Sequence, residues 1–464
     1  MKQGNIKNII LIVMVLVCVY LSSNVWLKLP DFISNASTEG DNENDESLTF
    51  ADIWNIVRPV KNVIKYKENY TITYTDEKDM WSKAVYAVND AFEDFNKSNV
   101  KEGAAFPADY IKFSFKTSIP VDIFMGHMKI DNENIKNTVK NIKNVIVDLE
   151  NPKAIYIYNG EDTVRIENEK INTGEIAEII KQINFNNEIK YAFDEKIGDE
   201  TVHVPIPLEQ TALNPIFVQS ELDVFDTETI NQIAKKYFKS NYDYVRKSVE
   251  VSGNTVYMYR SDKILKINAD GLLDFYDTTA EINNSTDVYK SLVSAVKFTK
   301  EFLGFPENGF LDNIETINHE GNFGYRFTFS YKIKERPILF SKVRANSALQ
   351  VDVVGDSVIS YKRFIRNINE TQLDKMNVIN IMSAADVIEG NIELETPIKD
   401  ESETIALKPL KKQMIEEISN IYLGYFDLSR ISKEQLLRVV WVVEMKDKAY
   451  IFNAISGALI EEWQ

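Results

Sequence analysis

The sequence predicts an α+β protein in which a single N-terminal transmembrane helix is followed by extracytoplasmic domains. Those domains are predicted to consist of helices packed on antiparallel β-meanders, with an internal repeat. Three observations support this prediction. An uninterrupted apolar run extends from Ile9 to Leu21. Beyond it, short alternating segments that end at Gly or Asn-Pro turns are typical of antiparallel strands. Other segments carry an apolar residue every three or four positions, as amphipathic helices do.

The transmembrane helix is expected over residues 9–27. A helix of this length runs about 28 Å at 1.5 Å per residue, close to the roughly 30 Å thickness of the hydrocarbon core. Lys2 and Lys7 precede it, so the positive-inside rule assigns residues 1–8 to the cytoplasm. The bulk of the chain is then extracytoplasmic, and the protein is expected in the cell membrane.

Two kinds of removable signal compete with this interpretation. A cleaved signal peptide ends in small residues before the cleavage site, and the Ser-Ser-Asn stretch at 22–24 matches that pattern poorly. A lipoprotein signal needs a small residue before its cysteine, but Cys18 follows Val17. An uncleaved single-pass anchor therefore fits best.

One face of this helix is a candidate contact surface for a second transmembrane helix. Cys18 and Ser22 are small residues four positions apart, a spacing that lets two helices approach closely. The alternative, which the sequence leaves open, is that any apolar helix shows such a face by chance. The partner face comprises the residues at a/d heptad spacing: Leu11, Val15, Cys18, Ser22 and Val25.

Residues 28–48 are predicted to form an acidic linker, because they contain few large apolar side chains. The chain has 70 acidic and 53 basic residues, with a net charge of −17 at pH 7. Such a surface repels nucleic acid, so no nucleic-acid partner is expected. Cys18 is the only cysteine, so an internal disulfide is not possible.

Three domains are predicted beyond the linker. They are an N-terminal extracytoplasmic α+β domain (49–190), a central helix-plus-meander domain (191–283) and a C-terminal domain (284–464). In the first domain, one amphipathic segment predicts a helix that buries Trp81, Val85, Val88 and Phe92.

The internal repeat rests on two segments that match at a fixed offset. Residues 229–238 match 414–423, with Ile230, Ile233 and Tyr237 corresponding to Ile415, Ile418 and Tyr422. Each unit is predicted to contain a helix followed by three strands. A looser third copy begins with a helix over 286–303, which Ser285 can cap and Gly304 can end.

The sequence offers no convincing catalytic, cofactor-binding or metal-binding residues. His127, His203 and His319 lie far apart, and "HEGN" at 319–322 lacks the second histidine of a zincin. "GDSV" at 355–358 is better explained as a turn than as an esterase block. Ser294 and Lys297 have S-x-x-K spacing without its usual partner motifs. Paired carboxylates stay possible, but a non-enzymatic protein without cofactors is expected.

The order of these parts resembles the YycH family of Gram-positive bacteria. The likeness covers a basic N-terminus, one anchor ending near Trp26, and a strand-rich domain opening at "ADIWNIVRPVKNVI", which contains Arg58-Pro59. Helix-plus-meander modules follow. "FLGFPENGF" and "GYRFTFSYKIKERPI" are similar to a segment that such proteins share with their sister protein YycI, so 284–464 is expected to be YycI-like.

The resemblance implies a function. YycH proteins are non-enzymatic accessory regulators of the YycG (WalK) sensor histidine kinase, which controls cell-wall metabolism through a two-component system. The implied partners are that kinase, contacted largely through the transmembrane helix, and a YycI-like protein, contacted by the outer domains. The sign of regulation stays open. The alternative is a tethered extracytoplasmic binding or wall-processing protein unrelated to the kinase.

Overall fold

The structure is a computed structural model that describes residues 50–76, 78–186, 188–197, 200–208, 212–213, 215–280, 287–342, 347–369, 379–392, 414–428, 434–446 and 448–463. All of them belong to one compact unit, Leu48–Gln464. The predicted transmembrane helix with its partner face, and the acidic linker, lie outside the described residues. Within the ranges given, no helix combines the length and apolarity needed to cross a membrane.

The first sheet contains seven described strands in the order β2-β1-β4-β5-β6-β7-β3, with every pair antiparallel. Its strands are β1 Lys61–Tyr66, β2 Asn69–Thr73, β3 Val100–Glu102, β4 Tyr110–Pro120, β5 Asn141–Asp148, β6 Ala154–Tyr158 and β7 Thr163–Glu167. The accompanying helices are α1 Phe50–Trp54, α2 Met80–Glu93, α3 Val121–Met128, α4 Glu133–Val139 and α5 Gly174–Lys181.

Side-chain alternation decides which face of this sheet the helices cover. In β4, Phe113 and Phe115 point to the helical side, where both rings lie against Trp81 of α2 at centroid distances of 5.5 and 5.2 Å. Lys112 and Lys116 therefore point to the opposite face. The predicted apolar face of α2 is confirmed, since its four residues are at most 4% exposed.

Short pairs of strands connect the first sheet to the rest of the chain. They form three two-stranded sheets, β8–β11, β9–β10 and β12–β24. The strands are β8 Tyr191–Ala192, β9 Glu195–Ile197, β10 Glu200–Val202, β11 Ile206–Pro207, β12 Ala212–Leu213 and β24 Ile379–Asn380.

The second sheet contains fifteen strands among the described residues. Its main path runs β14-β15-β16-β17-β22-β21-β19-β20-β25-β26-β13-β23; β18 pairs with β19, and β27 joins β26 to β28. β20 and β25 are parallel, whereas the other described neighbours are antiparallel. The strands are β13 Ile216–Ser220, β14 Arg246–Val249, β15 Thr255–Tyr259, β16 Lys263–Ile267, β17 Leu273–Asp277, β18 Gly309–His319, β19 Asn322–Ile333, β20 Arg336–Phe340, β21 Leu349–Val354, β22 Ser357–Arg363, β23 Arg366–Ile368, β25 Asn420–Asp427, β26 Glu434–Glu444, β27 Ala449–Asn453 and β28 Leu459–Trp463.

The helices that accompany these strands are α6 Thr227–Phe238, a 3₁₀ helix Lys239–Tyr244, α7 Val288–Phe302 and α8 Ala384–Gly390. Asp287 caps α7, because its side chain accepts hydrogen bonds from the amides of Tyr289 and Lys290. The predicted cap Ser285 lies outside the described residues. The predicted end at Gly304 is confirmed, since Gly304 has a positive φ of 71° and donates to the carbonyl of Thr299.

The α+β class and the antiparallel strands are confirmed, but the structure does not show the internal repeat. The predicted helix at 414–423 is wrong, because strand β25 begins at Asn420 within it. Both faces of β25 are buried, because Ile421, Leu423 and Tyr425 belong to one apolar cluster and Tyr422 and Phe426 belong to another. Its isoleucine, leucine and tyrosine side chains are buried on each side, which produced an apolar spacing that imitated a helix.

One apolar core extends from the first sheet into the second. Residues from Ile53 to Ile180 and from Leu222 to Tyr361 contribute to the same buried cluster. α3 and α7 approach closely at Gly126, where an added Cβ would lie 2.5 Å from the ring of Tyr289. The domain boundaries at 190/191 and 283/284 stay predictions.

Candidate functional site

The three histidines have different partners in the structure. His127 Nδ1 lies 3.1 Å from the hydroxyl of Tyr289, and His203 Nδ1 lies 2.7 Å from a carboxylate oxygen of Asp194. His319 ends β18. In the part of the chain that the structure describes, no group of three or more His, Cys, Asp or Glu side chains could hold a metal ion.

The two short motifs that resemble catalytic sequences lie in a turn between strands and on a helix. Gly355 and Asp356 form the turn between β21 and β22, with Gly355 at a positive φ of 62°. Ser294 and Lys297 lie on α7.

A polar cleft lies where the first sheet meets the second. We call it the lysine cleft. Its lining residues include members of β1, β4, β18, β19, β20, β25 and β28, and its cavity has a volume of about 110 Å³. The cleft is defined by Lys61, Lys116, Asp312, Lys332, Asn420, Tyr422 and the adjoining Glu444.

Two of these lysines reach the cleft because side chains alternate between the two faces of a strand. The helices cover the Phe113 side of β4, so Lys116 projects from the opposite side. Lys61 of β1 lies beside it, because β1 pairs with β4 and Lys61 is opposite Ser114. Facing them, β25 and β26 pair with Asn420 opposite Glu444. The cleft therefore joins segments from the two ends of the described chain.

Lys116 and Glu444 form an ion pair across the cleft. The hydroxyl of Tyr422 donates to Oε1 of Glu444 at 2.9 Å, and the amide of Asn420 donates to Oε2 at 3.0 Å. Burial alone would raise the pKa of Glu444, but the Lys116 ammonium and these hydrogen bonds lower it to about 2. Glu444 in turn raises the pKa of Lys116 well above its ordinary value, against the effect of burial. Both groups are therefore charged at neutral pH.

Lys61 and Lys332 are held without a carboxylate among their described hydrogen-bond partners. Lys61 Nζ donates to Oδ1 of Asn420 at 2.5 Å. Lys332 is 6% exposed, and its Nζ donates to the carbonyls of Val60 and Tyr74 at 2.6 Å each. Burial lowers the pKa of Lys61 to about 8, with help from nearby lysines, and lowers the pKa of Lys332 to about 7. The cleft thus holds three lysine side chains close together inside an acidic protein, two of them with lowered pKa values.

Sequence reasoning did not find the lysine cleft. One signal was available, because Glu444 is the acidic residue in the otherwise apolar run "VVWVVEM". A charge placed there must meet a partner or stay in contact with water. The sequence could not show that Lys116 is that partner.

Together the fold and the cleft define a class, an α+β protein whose two mainly antiparallel sheets are joined through buried polar contacts. Residues 4–188 match the family described as the YycH protein, N-terminal domain. This match confirms the resemblance to the YycH family over the N-terminal part of the chain. The match ends before 284–464, so the YycI-like character of those residues stays a prediction.

Other comparisons add little. No curated protein sequence matches the chain. An uncharacterized protein from Eubacterium rectale is 12% identical with a TM-score of 0.33, covering 61% of this chain and 95% of that one. The C-terminal domain of Bacillus megaterium YpeB is 11% identical with a TM-score of 0.26, covering 51% and 96%. Scores this low carry no argument about fold or function.

Proposed function

We propose that this protein is a membrane-anchored, extracytoplasmic accessory regulator of a YycG/WalK-type sensor histidine kinase. The observation that carries the proposal is the YycH N-terminal domain match over residues 4–188. This match includes the predicted anchor at 9–27 as well as the first sheet. The family unit therefore covers the predicted anchor together with the first domain, as expected if both take part in regulation.

The proposed mechanism is a shift between two signalling states of the kinase. The partner face of the anchor packs against a transmembrane helix of the kinase and fits one state better than the other. Only such a difference in affinity can move the equilibrium. A difference of about 1–3 kcal/mol changes the balance about 5- to 150-fold.

The outer part would contact a YycI-like sister protein and relay that contact toward the anchor. Two features of the cleft support a relay. The Lys116–Glu444 ion pair joins β4 to β26, and Lys332 of β19 donates to backbone carbonyls next to β1 and β2. A force applied to the second sheet therefore reaches the sheet that follows the anchor.

Replacing residues 9–27 by an unrelated transmembrane helix of equal length tests the function. We expect the variant to stay in the membrane while a kinase-dependent reporter changes about 5- to 150-fold, to the level of a strain lacking the protein. The control keeps 9–27 and replaces the linker segment 31–48 by a Gly/Ser linker of equal length, which should preserve regulation. An unchanged reporter after the helix exchange would instead favour the merely tethered alternative.

The double substitution Cys18→Leu and Ser22→Leu tests the partner face itself. Larger side chains at these positions keep two helices apart, so we expect at least about fivefold less kinase to co-purify. Val13→Leu with Val17→Leu is the matched control, because the spacing is the same and the helical face is different. Equal co-purification of both variants would remove the Cys18–Ser22 face from the mechanism.

A further inference from the structure

We propose that the lysine cleft binds a small carboxylate that carries an apolar group. The cavity of about 110 Å³ is the first reason. A single water molecule needs roughly 10–15 Å³ on the same scale, so the cavity has room for a small organic molecule. The proposal does not depend on kinase regulation, since binding is measured on the purified protein.

Positive charge in the cleft exceeds the negative charge that faces it. Within the described residues, Lys61 makes one hydrogen bond although its ammonium carries three N–H donors. Lys332 uses two donors, both on backbone carbonyls. Glu444 is already bound to Lys116. The nearby lysines Lys112, Lys116 and Lys143 all add positive charge around Lys61.

Among the described residues that line the cavity, Asp312 is the one carboxylate, and it does not balance this excess. Three lysines line the same cavity, namely Lys61, Lys116 and Lys332. Burial also raises the pKa of Asp312, although Lys116 opposes the effect. An incoming anion would therefore meet more lysine than carboxylate among the described lining residues. It would accept hydrogen bonds from the N–H groups of Lys61 and Lys332 that have no acceptor among the described residues.

The other lining side chains select the kind of anion. Phe310, Leu339, Phe340 and Trp463 contribute apolar lining to the cavity, which we call its apolar side. A monoanion with an apolar group places its charge on the lysines and its hydrocarbon against this side. A phosphate or sulfate would leave the apolar side unfilled, and a multiply charged ion costs more to desolvate.

Two kinds of ligand present a carboxylate beside an apolar group: a free carboxylic acid and the C-terminus of a peptide. Titration calorimetry on the full-length protein in detergent would use N-acetylleucine for the first and the tripeptide Gly-Gly-Leu for the second. N-acetylleucinamide is the matched probe that has the same shape without the charge. Whichever source applies, we expect a carboxylate probe to bind at least about tenfold more tightly than the amide.

Substitutions locate the binding to the cleft. Lys61→Met should weaken carboxylate binding about 10- to 100-fold, because it removes a charged hydrogen-bond donor. Lys65→Met is the matched control, since Lys65 lies four residues along the same strand and does not line the cavity. It should leave affinity unchanged.

The outcomes on the wild-type protein decide the proposal even if a variant fails to fold. Carboxylate binding that exceeds amide binding, and is lost in Lys61→Met alone, supports it. Equal affinity for acid and amide, no heat with any carboxylate, tighter binding of inorganic phosphate than of N-acetylleucine, or unchanged binding in Lys61→Met would each overturn it.

Discussion

Replacing Asp427 by alanine is expected to lower the free energy of unfolding by about 3–5 kcal/mol. Arg366 Nε lies 2.9 Å from Oδ2 of Asp427, and both side chains are 0% exposed. Gln435 donates to the other carboxylate oxygen. Loss of Asp427 removes the carboxylate that pairs with the buried guanidinium of Arg366, and removing one member of a buried pair is the costly way of breaking it. Guanidinium chloride unfolding followed by tryptophan fluorescence measures the change.

An exposed ion pair supplies the control for this prediction. Lys153 and Glu169 form a pair in which the side chains are 49% and 86% exposed, so Glu169→Ala should cost less than about 1 kcal/mol. The double variant Arg366→Met with Asp427→Leu should recover much of the lost stability, because no charge stays buried. If Asp427→Ala costs no more than Glu169→Ala, the buried pair does not stabilise the fold as argued.

Replacing Glu444 by glutamine should cost about 2–3 kcal/mol at neutral pH, and the cost should depend on pH. The pKa of this carboxyl falls from an ordinary value of 4.5 to about 2 in the folded protein. Each pKa unit corresponds to about 1.4 kcal/mol of stability. The expected cost is smaller than the full conversion, because the Glu444 side chain is 22% exposed and water screens the ion pair. A lowered carboxyl pKa stabilises the fold above pH 4.5, and that stability is lost as the pH falls toward 2.

The measurement is the difference in unfolding free energy between the wild type and Glu444→Gln at pH 7, 5 and 3. The difference should narrow at pH 3, where unfolded chains bind a proton at Glu444 more readily than folded ones. Glu462→Gln is the control, because Glu462 forms an exposed pair with Lys448; its effect should stay below about 1 kcal/mol. A Glu444→Gln difference that is equal at pH 7 and pH 3 would contradict the assigned ion pair.

The spacing of apolar residues within single segments was sufficient to predict several helices and strands of the fold. The buried face of α2 and the alternation of Tyr325, Phe327, Phe329 and Tyr331 along β19 follow from periods of 3.6 and 2 residues. The last three of these β19 residues are at most 3% exposed. Such periods are set within one element, so a single sequence can display them.

The same reasoning failed where neighbours decide the structure. The side chains on both faces of β25 are buried in apolar clusters built from distant parts of the chain, so its apolar run lacked the alternation of a half-buried strand. The lysine cleft was missed for a related reason. Alternation predicts that Lys112 and Lys116 share a face of β4, but it contains no information about which distant strand that face will meet.

The ion pair between Lys116 and Glu444 also has a consequence for biogenesis, because 328 residues separate the two partners. In the proposed orientation the chain emerges outside the membrane with its N-terminal part first. The first sheet can pair its strands early, yet Lys116 meets Glu444 only after a further 328 residues have been exported. Contacts this distant in sequence form late in folding. In this order of export, the lysine-bearing face of the first sheet stays uncovered until the strands that carry Asn420 and Glu444 arrive.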